Sequence, residues 1–423
     1  MAHHLRERWQ PTFGSGIPRR ARQGCEYDAY VPDALGDRPV LLNGSVAADV
    51  ADAEAAITRL NAEAVSLVDS EALARLLLRA EAVASSRIEG LEVGGRRLLR
   101  AQAARALGDD PRDVTAEEIL ANIGAMAWAI ETVAAAPEIT VGHLLEMHRR
   151  LLAGTRTADQ AGQVRTSQNW IGGSSYNPCG AAFIPPPPGY IQALLEDLCR
   201  FCSDDALSPL VQAALAHAQF ETIHPFHDGN GRTGRALIHV IMRRRGLAPR
   251  TLPPVSLVLA TWPDDYVGGL TATRYLGDAT GNSAQDGLNR WVELFASACS
   301  RAVADAHTYE ERVHELHGRW RATVGRVRNG SAADLLLATI PGTPILTVAS
   351  AATLIGRTFQ ATNDAIARLV AAEVLRPVRV GRRNRAFEAP DLVDAFADLE
   401  RRLASPLGDT RSAPPVRPAP RRG

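Results

Sequence analysis

The feature that most constrains this chain is a polar loop, residues 224–235, between two apolar segments. Residues 215–223 before the loop and 236–241 after it carry apolar side chains at the spacing of buried helices. The loop itself contains three glycines, an asparagine, an aspartate and two arginines. The chain must therefore bury two helices and present the loop between them, open toward the start of the second helix.

The loop contains the groups that a phosphate site needs. Gly229 and Gly231 permit backbone conformations closed to other residues, so successive N–H groups can converge on one anion. The helix that begins near Gly231 adds its free N–H groups and the positive end of its dipole. Arg232 and Arg235 lie three positions apart and can reach the same side of a polyphosphate.

Two further residues add chemistry to this phosphate site. Asp228 is a hard oxygen ligand suited to Mg²⁺ shared with substrate phosphates. His224 can accept a proton from an attacking hydroxyl near neutral pH. Taken singly, a histidine beside a proline and a Gly-Asn-Gly sequence are usually structural. Their occurrence together in this order predicts phosphoryl or nucleotidyl transfer.

The loop resembles the signature of the Fic family, His-Pro-Phe-x-Asp/Glu-Gly-Asn-Gly-Arg-x-x-Arg, and matches it at every defined position. The preceding residues 217–223 are similar to the helix that leads into this signature. Fic proteins are mostly helical enzymes that move AMP from ATP to a hydroxyl of a target protein. The resemblance implies that His224 is the general base and that Asp228 holds Mg²⁺. It also implies that the following residues bind the ATP phosphates: Gly229, Asn230, Gly231, Arg232 and Arg235.

The predicted helix of residues 71–90 ends in a second informative stretch. Ser85 and Glu89 lie four positions apart, on one helix face, and Gly90 can end the helix. By itself Glu89 is typical of a surface carboxylate, although the helix dipole disfavours an acid there. The stretch also resembles the inhibitory motif of many Fic proteins, Ser/Thr-x-x-x-Glu-Gly/Asn. That resemblance implies that Glu89 pairs with Arg235 and misdirects the phosphates of bound ATP.

Residues 162–188 interrupt the helical pattern. Short apolar stretches, with Trp170 and Ile171 in one and Phe183 and Ile184 in the other, predict two strands around a turn-rich loop. This segment resembles the Fic flap, which implies that its edge pairs with an extended segment of the target. By the same resemblance, Tyr266 is a candidate contact for the base of the nucleotide.

The whole chain is predicted to be mainly α, a Fic-type helical bundle with a small β-hairpin flap followed by a C-terminal winged-helix domain. Residues 1 to about 45 show little periodicity, and regular structure is expected only after them. We predict an N-terminal helical region, a Fic catalytic core, a connector helix, a winged-helix domain and a disordered tail, at residues 1–110, 111–303, 304–330, 331–400 and 401–423.

The winged-helix prediction rests on a helix at residues 332–340, two helices around Gly356 and a basic hairpin at residues 376–387. DNA binding through residues 348–387 would use the start of the second helix and the arginines of the wing, namely Thr358, Phe359, Gln360, Arg382, Arg383 and Arg385. Winged helices also bind proteins and form dimers, and a formal net charge of zero does not favour DNA. DNA and a second copy of the chain both stay open as partners.

Composition indicates the environment of the protein. The five cysteines, at residues 25, 179, 199, 202 and 299, form no regular framework, which indicates a reducing compartment. Cys199 and Cys202 lie in a helix-like run without a second pair, so core packing is favoured over metal binding. No apolar run is long enough to span a bilayer, and no signal peptide is recognised. These observations predict a cytoplasmic protein without membrane contact.

We therefore expect a protein adenylyltransferase that uses ATP and Mg²⁺ to modify a Ser, Thr or Tyr hydroxyl, on an unknown target protein or on itself. Two alternatives stay open. Some relatives use the inhibitory glutamate to remove AMP from a target, so Glu89 could serve a hydrolase or a bifunctional enzyme. The chain could instead be a winged-helix DNA-binding regulator whose Fic core senses nucleotide.

Overall fold

The computed structural model describes residues 1–10, 18, 22, 24–36, 38–63, 70–108, 113–380 and 384–403. The chain divides into two compact units, each assembled from three stretches that are distant in sequence. The first unit comprises Met1–Asp52, Trp128–Leu247 and Asp264–Ser297, and the second comprises Ala53–Ala127, Ala248–Pro263 and Ala298–Gly423. Three parts of the predictions lie outside the described residues. They are Arg382 with Arg383, the end of a first helix that the apolar pattern predicts from about residue 47 to residue 68, and residues 404–423 of the predicted tail.

Helices dominate the described residues, which confirms the predicted mainly α fold. They are α1 Gly44–Glu63, α2 Ser70–Ile88, α3 Gly95–Ala106, α4 Val114–Trp128, α5 Val141–Leu152, α6 Pro188–Ser203, α7 Pro209–Ile223, α8 Asn230–Arg244, α9 Val255–Thr261, α10 Pro263–Ala272, α11 Asn282–Val324, α12 Ala332–Thr339, α13 Val348–Ile355, α14 Phe359–Ala371 and α15 Pro390–Leu403. A π-helical turn, Ala129–Val133, follows α4, and 3₁₀ turns occupy Ala158–Gln160 and Ile340–Gly342. No helix among the described residues is both long and apolar enough to cross a membrane.

The N-terminal segment contains two strands that the sequence analysis missed. β1 (His3–Trp9) and β2 (Cys25–Val31) pair antiparallel, with His3 opposite Val31 and Trp9 opposite Cys25. The expectation that residues 1–45 lack regular structure is therefore wrong. β1 contains three charged residues in succession, Arg6, Glu7 and Arg8, and therefore shows no alternation of polar with apolar residues. β2 alternates only from Cys25 to Ala29, which is too short a pattern to stand out beside a Pro- and Gly-rich connection.

The core of the first unit is built around α7 and α8. Every residue of α7 from Leu210 to Ile223 is buried, and the indole of Trp291 on α11 donates a hydrogen bond of 2.8 Å to the carbonyl of Ala214. Gly234 lets α8 pack closely against α7, because a Cβ there would lie 3.0 Å from Cδ1 of Phe220. This close contact fixes the positions of the end of α7 and the start of α8, which the polar loop connects.

The cysteines correct the expectation of a wholly reduced chain. Cys25 on β2 and Cys179 in the flap form a disulfide, with their Cα atoms 5.9 Å apart although 154 positions separate them in sequence. Their spacing in the sequence carries no sign of this pairing, because the fold alone brings them together. Cys199 and Cys202 are buried and reduced, as core packing predicted, and burial raises the pKa of Cys199 to about 12.

In the second unit, α2 packs against α9 and the turn Ile340–Gly342. The carboxylate of Glu81 is fully buried on α2 and accepts hydrogen bonds from both the backbone N–H and the hydroxyl of Ser256. The helix ends as predicted, because Gly90 takes a left-handed φ of 80° and donates to the carbonyl of Arg87. At this end Ser85 is buried and Glu89 is exposed.

The three helices and the hairpin on which the winged-helix prediction rests are present, and a short strand that was not predicted lies between the first and second of these helices. Three strands, β3 (Ile345–Leu346), β4 (Arg376–Val380) and β5 (Asn384–Glu388), form one sheet in the order β3-β5-β4. Two boundaries differ from those expected. α11 continues without a break through residue 303, and α15 extends to Leu403, so residues 401–403 are helical.

Glu388 at the end of β5 is the buried charge that connects this sheet to α3. Its carboxylate is fully buried and lies next to three arginines, Arg96, Arg100 and Arg376. Arg376 donates from Nε over 2.7 Å and Arg100 donates from Nη2 over 3.3 Å. Each arginine keeps between 41% and 47% of its side chain exposed, so solvent screens their mutual repulsion.

Replacement of this carboxylate should destabilise the second unit. We expect Glu388→Ala to lower the free energy of unfolding by about 2 kcal/mol, because three guanidinium groups lose their shared acceptor. The measurement is urea denaturation followed by circular dichroism. Asp394→Ala is the matched control, since Asp394 also pairs with Arg96 but is 65% exposed, and it should cost less than about 0.5 kcal/mol. Equal losses in the two variants would contradict the assignment.

Candidate active site

The polar loop begins at His224, immediately after α7. His224 has a left-handed backbone (φ 47°, ψ 60°), and its N–H donates to the carbonyl of Phe220 over 2.9 Å. Such a conformation costs a residue with a side chain about 1–2 kcal/mol, so other contacts must hold it. The imidazole is 18% exposed, and its Nδ1 lies 3.9 Å from Oε2 of Glu221. The predicted base thus lies at the surface of the first unit with a carboxylate beside it.

The main support of this conformation is Arg165, a residue to which sequence analysis assigned no role. Its Nε donates to the carbonyl of His224 over 2.9 Å, and its Nη2 donates to the carbonyl of Pro186 over 2.6 Å. Its backbone N–H donates to the carbonyl of Pro225 over 2.9 Å. Burial lowers the pKa of Arg165 to about 10, so the guanidinium stays charged at neutral pH. Arg165 therefore joins the loop to the end of the flap segment.

The middle of the loop is closed by two asparagine side chains. Asn230 accepts from the N–H of Phe226 over 2.9 Å and donates to the carbonyl of the same residue over 2.8 Å. Asn169 also donates to the carbonyl of Phe226, over 2.9 Å. The side chain of Asn230 is therefore engaged in shaping the loop. Asn230 was predicted to bind phosphate, and of its groups the backbone N–H is the one that these hydrogen bonds do not use.

His148 on α5 is a further positioning residue, and the sequence analysis did not connect it with the loop. Its ring stacks on Phe226, with centroids 3.7 Å apart. Nδ1 accepts from the N–H of Gly162 over 3.0 Å, so the proton lies on Nε2, which donates to the carbonyl of Asp228 over 2.9 Å. Burial lowers the pKa of His148 to about 4, so the ring is neutral. No spacing in the sequence relates His148 to the loop.

Asp228 holds its carboxylate in a fixed but accessible position. Oδ1 accepts from the N–H of Gly229 over 2.6 Å and from Nη2 of Arg232 over 3.3 Å. Oδ2 accepts from the hydroxyl of Thr157 over 3.1 Å. The side chain remains 45% exposed, which leaves lone pairs of the carboxylate available to a cation.

The start of α8 has the properties of an anion site. Gly229 takes a φ of 78°, a left-handed conformation that favours glycine. The space around it also favours glycine, because a Cβ there would lie 3.0 Å from Cδ2 of Leu151. The first helical hydrogen bond runs from Thr233 to Gly229, so the N–H groups of the three residues between them precede it. The side chain of Arg232 is only 4% exposed, and its Nε and Nη1 have no acceptor among the described residues. A buried cation with two unused donors beside free N–H groups is a place for phosphate.

Arg235, on the second turn of α8, and Tyr266 are both buried in the first unit. Arg235 is buried, and after burial itself its charge is the main reason that the pKa of His217 falls to about 3. The hydroxyl of Tyr266 lies 2.7 Å from Nε2 of His217, and its ring packs near Trp291. Tyr266 is itself buried. This geometry gives Tyr266 a structural role, and its predicted contact with the nucleotide base stays a prediction.

The flap pairs through a single bridge, where two strands had been expected. The N–H of Ile171 donates to the carbonyl of Phe183 over 2.8 Å, and the reverse bond measures 3.2 Å. Beyond the bridge Gly173 is needed, because a Cβ there would lie 2.8 Å from the carbonyl oxygen of Gly180. Trp170 lies on one side of the bridge, edge-on to Trp9, and Ile184 on the other accepts from the N–H of Tyr30.

Comparison with known proteins supports the interpretation of this loop. The model of the Fic/DOC family matches residues 138–242, and the model of the Fic/DOC family N-terminal region matches residues 47–131. The chain contains a Fic/DOC family domain. This Fic domain includes the loop, Arg165 and His148.

Named relatives match about a quarter to a third of the chain. Protein adenylyltransferase fic-1 of Caenorhabditis elegans is 39% identical over 119 residues, 27% of this chain and 22% of the relative. Protein adenylyltransferase Fic of Drosophila melanogaster is 35% identical over 139 residues, 32% of this chain and 26% of the relative. The match thus covers about a quarter of the length of these relatives.

A solved structure of a Fic family protein from Desulfovibrio desulfuricans G20 superposes with a TM-score of 0.51, over 84% of this chain and 98% of that one. Because only 21% of the aligned residues are identical, the likeness concerns the fold alone.

The buried His148 predicts how stability depends on pH. In the unfolded chain it takes up a proton near its ordinary pKa of 6.5, whereas the folded state resists protonation down to about 4. Its contribution to stability is complete above about pH 6.5 and is lost as the pH falls toward 4. Over this window the free energy of unfolding should fall by up to about 1.4 kcal/mol per pH unit for this group.

The test is urea denaturation of wild type and His148→Gln across this pH range. The variant should be less stable at pH 7.5 by about 1–3 kcal/mol, because hydrogen bonds to the loop weaken, and its stability should depend less steeply on pH. Some slope should remain, since the pKa of His217 is lowered as well. His3→Gln, on exposed β1, is the control. An unchanged slope in His148→Gln would show that this ring is not kept neutral by the fold.

Proposed function

We propose that the chain is a protein adenylyltransferase, which transfers AMP from ATP to a Ser, Thr or Tyr hydroxyl of a target protein. The observation that carries the proposal is the buried guanidinium of Arg232, with two unused donors, at the N-terminus of α8 and beside the carboxylate of Asp228. His224 precedes these groups on the same loop. The named relatives are adenylyltransferases, which makes ATP the substrate to test.

In the proposed reaction the hydroxyl oxygen of the target attacks the α-phosphorus of ATP. A new P–O bond to the target forms, the bond from the α-phosphorus to the bridging oxygen breaks, and pyrophosphate leaves. His224 takes the proton of the hydroxyl. The N–H groups at the start of α8 and the Arg232 guanidinium hold the phosphates, so catalysis rests on positioning and on electrostatic stabilisation. Arg165 and His148 contribute by holding the loop in shape.

The residues present fit a magnesium ion shared with substrate. Mg²⁺ is usually bound by one or two carboxylates together with the phosphates of the substrate, and Asp228 supplies one accessible carboxylate. The described residues include no cluster of three or more histidine, cysteine, aspartate or glutamate side chains that would hold a metal without substrate. When bound, Mg²⁺ would neutralise charge on the phosphates.

The target is proposed to bind at the Trp170 side of the flap. Ile171 uses its N–H and its carbonyl toward Phe183, so in an extended chain the neighbouring residue Trp170 directs its backbone groups the other way. The Ile184 side of the flap is less suited to a target strand, because the carbonyl of Ile184 already accepts a hydrogen bond from the N–H of Tyr30. An extended segment of the target could therefore add as a strand next to Trp170.

Inhibition by Glu89 is part of the proposal. Support for this part comes from the place of the motif at a helix end, since α2 ends at Ile88 and Gly90 makes a left-handed turn after Glu89. In the proposed inhibited state, Glu89 pairs with Arg235 and ATP binds with its phosphates misdirected. Removal of AMP with the help of Glu89 is the alternative within the same site, and it predicts AMP release from a modified target that depends on Glu89.

DNA binding through residues 348–387 receives less support from the geometry. The hydroxyl of Thr358 caps the N–H of Ala361, and the amide of Gln360 donates to Asp364 over 2.9 Å. The carboxylate of Asp364 would repel a phosphate backbone on this exposed side of α14. Arg385 is exposed and available. DNA, a second copy of the chain and the cytoplasmic location remain predictions.

The test is self-modification with ATP labelled at the α-phosphate, in the presence of Mg²⁺. We compare wild type, Glu89→Gly and the double variant Glu89→Gly/His224→Ala. Glu89→Gly should incorporate at least about tenfold more label than wild type, because Arg235 becomes available to the terminal phosphate. The double variant should lose about 10²–10⁴-fold of that rate with its general base.

The matched control is Glu89→Gly/His227→Ala, which removes the exposed histidine of the same loop and should keep the activity of Glu89→Gly. Label that persists in the His224→Ala double variant would reject His224 as the base. Absence of label in all variants, combined with AMP release from a modified target, would favour the hydrolase.

A further inference from the structure

The second unit contains a cavity of about 330 Å³ that the proposed reaction does not use. Its walls come from α2, α3, the segment 343–347 and the start of α13. Much of the lining is apolar, including Leu99 and Leu107 on one side and Ile345 and Leu346 on another. The volume falls at the lower end of the range for small-molecule sites.

One wall of the cavity contains a buried arginine that has no counter-ion among the residues that the structure describes. Arg79 is 5% exposed. Its Nη2 donates to the neutral amide oxygen of Gln102 over 3.0 Å, whereas Nε and Nη1 have no acceptor among the described residues. Burial lowers the pKa of Arg79 to about 10, an effect that the nearby Tyr309 opposes and the charge of Arg75, one turn earlier on α2, reinforces. A buried guanidinium in this state is costly, and an anion would compensate it.

The start of α13 also faces the cavity and adds positive potential. The lining includes Thr347, the N-cap, and the first-turn residues Ala349 and Ser350. Thr347 and Ser350 cap each other with their hydroxyl groups, and the first turn of α13 contains no acidic residue. The positive end of a helix dipole and an incompletely bonded guanidinium therefore border the same space.

We propose that this cavity binds a small amphipathic anion, a carboxylate or a phosphate monoester on a short apolar body. The anionic group pairs with Arg79 in the bidentate manner that guanidinium groups favour, close to the N-terminus of α13. The apolar body packs against Leu99, Leu107 and Leu346. The site lies within the second unit, so its occupancy does not depend on whether the Fic domain transfers AMP.

The experiment is isothermal titration calorimetry of the full chain without nucleotide. The probes are hexanoate, octanoate, hexyl phosphate and octyl phosphate, and the corresponding alkyl amides are neutral controls. We expect at least one anionic probe to bind and its amide to bind at least about tenfold more weakly, since the charge-assisted hydrogen bonds are lost. The comparison of the carboxylate probes with the alkyl phosphate probes shows which of the two headgroups the cavity binds more tightly.

Three variants assign the binding to this cavity. Arg79→Met should weaken the best anionic probe by at least about tenfold, and thermal melting should show a folded chain no less stable than wild type, because it removes an uncompensated buried charge. Ala103→Phe should block the cavity while it keeps Arg79. Arg75→Gln removes a neighbouring charge but no group of the lining, so it should weaken binding far less than Arg79→Met does.

Three results would overturn the proposal. One is equal binding of anions and amides, and another is unchanged binding in Arg79→Met or in Ala103→Phe. The third is the absence of binding by every anionic probe up to its solubility. Because the readout is binding to the second unit, failure here is independent of the outcome of the ATP-labelling experiment.

Discussion

The hydrogen bonds between the buried guanidinium of Arg165 and the backbone carbonyls around it support the whole candidate site. Its contacts with His224 and Pro186 hold the left-handed residue at the end of α7 and the end of the flap segment together. A guanidinium can serve several carbonyls at once because it carries five donors in one plane. The positions of the predicted base and of the loop that follows it therefore depend on a residue with no chemical part in the proposed reaction.

The buried charged side chains differ in whether all their polar atoms have hydrogen-bond partners. Glu388 lies among three arginines, and Glu81 accepts two hydrogen bonds from Ser256. Arg232 and Arg79, in contrast, each leave two nitrogens without an acceptor among the described residues. Arg232 keeps one acceptor, Oδ1 of Asp228, and Arg79 keeps one neutral amide oxygen, that of Gln102. Because unused donors on a buried cation are costly, such sites are where an anion is expected to bind. The same physical reason thus supports a phosphate position in the first unit and a small-anion position in the second.

The sequence predicted much of the architecture and the principal residues of the loop. Helices were recognisable because apolar residues recur at helical spacing over ten or more positions. The turns at Gly90 and Gly229 were recognisable because glycine adopts a left-handed backbone at little cost, and both residues have that conformation. It did not predict β1 and β2, whose seven residues each give too little pattern. Nor could it predict that Tyr266 is buried against His217, since that depends on how α10 packs.

By itself, the sequence determined the local features, which are the helices, the glycine-rich turn at the start of α8 and the set of charged groups on the loop. These follow from periodicity, glycine conformation and residue chemistry, which act over a few positions. Only the tertiary structure decided that Arg165 and His148 hold the loop, that Cys25 meets Cys179, and that Arg79 borders a cavity. Each of these contacts joins residues from separate parts of the chain. Such contacts arise from packing, and they produce no regular pattern in the sequence from which they could be predicted.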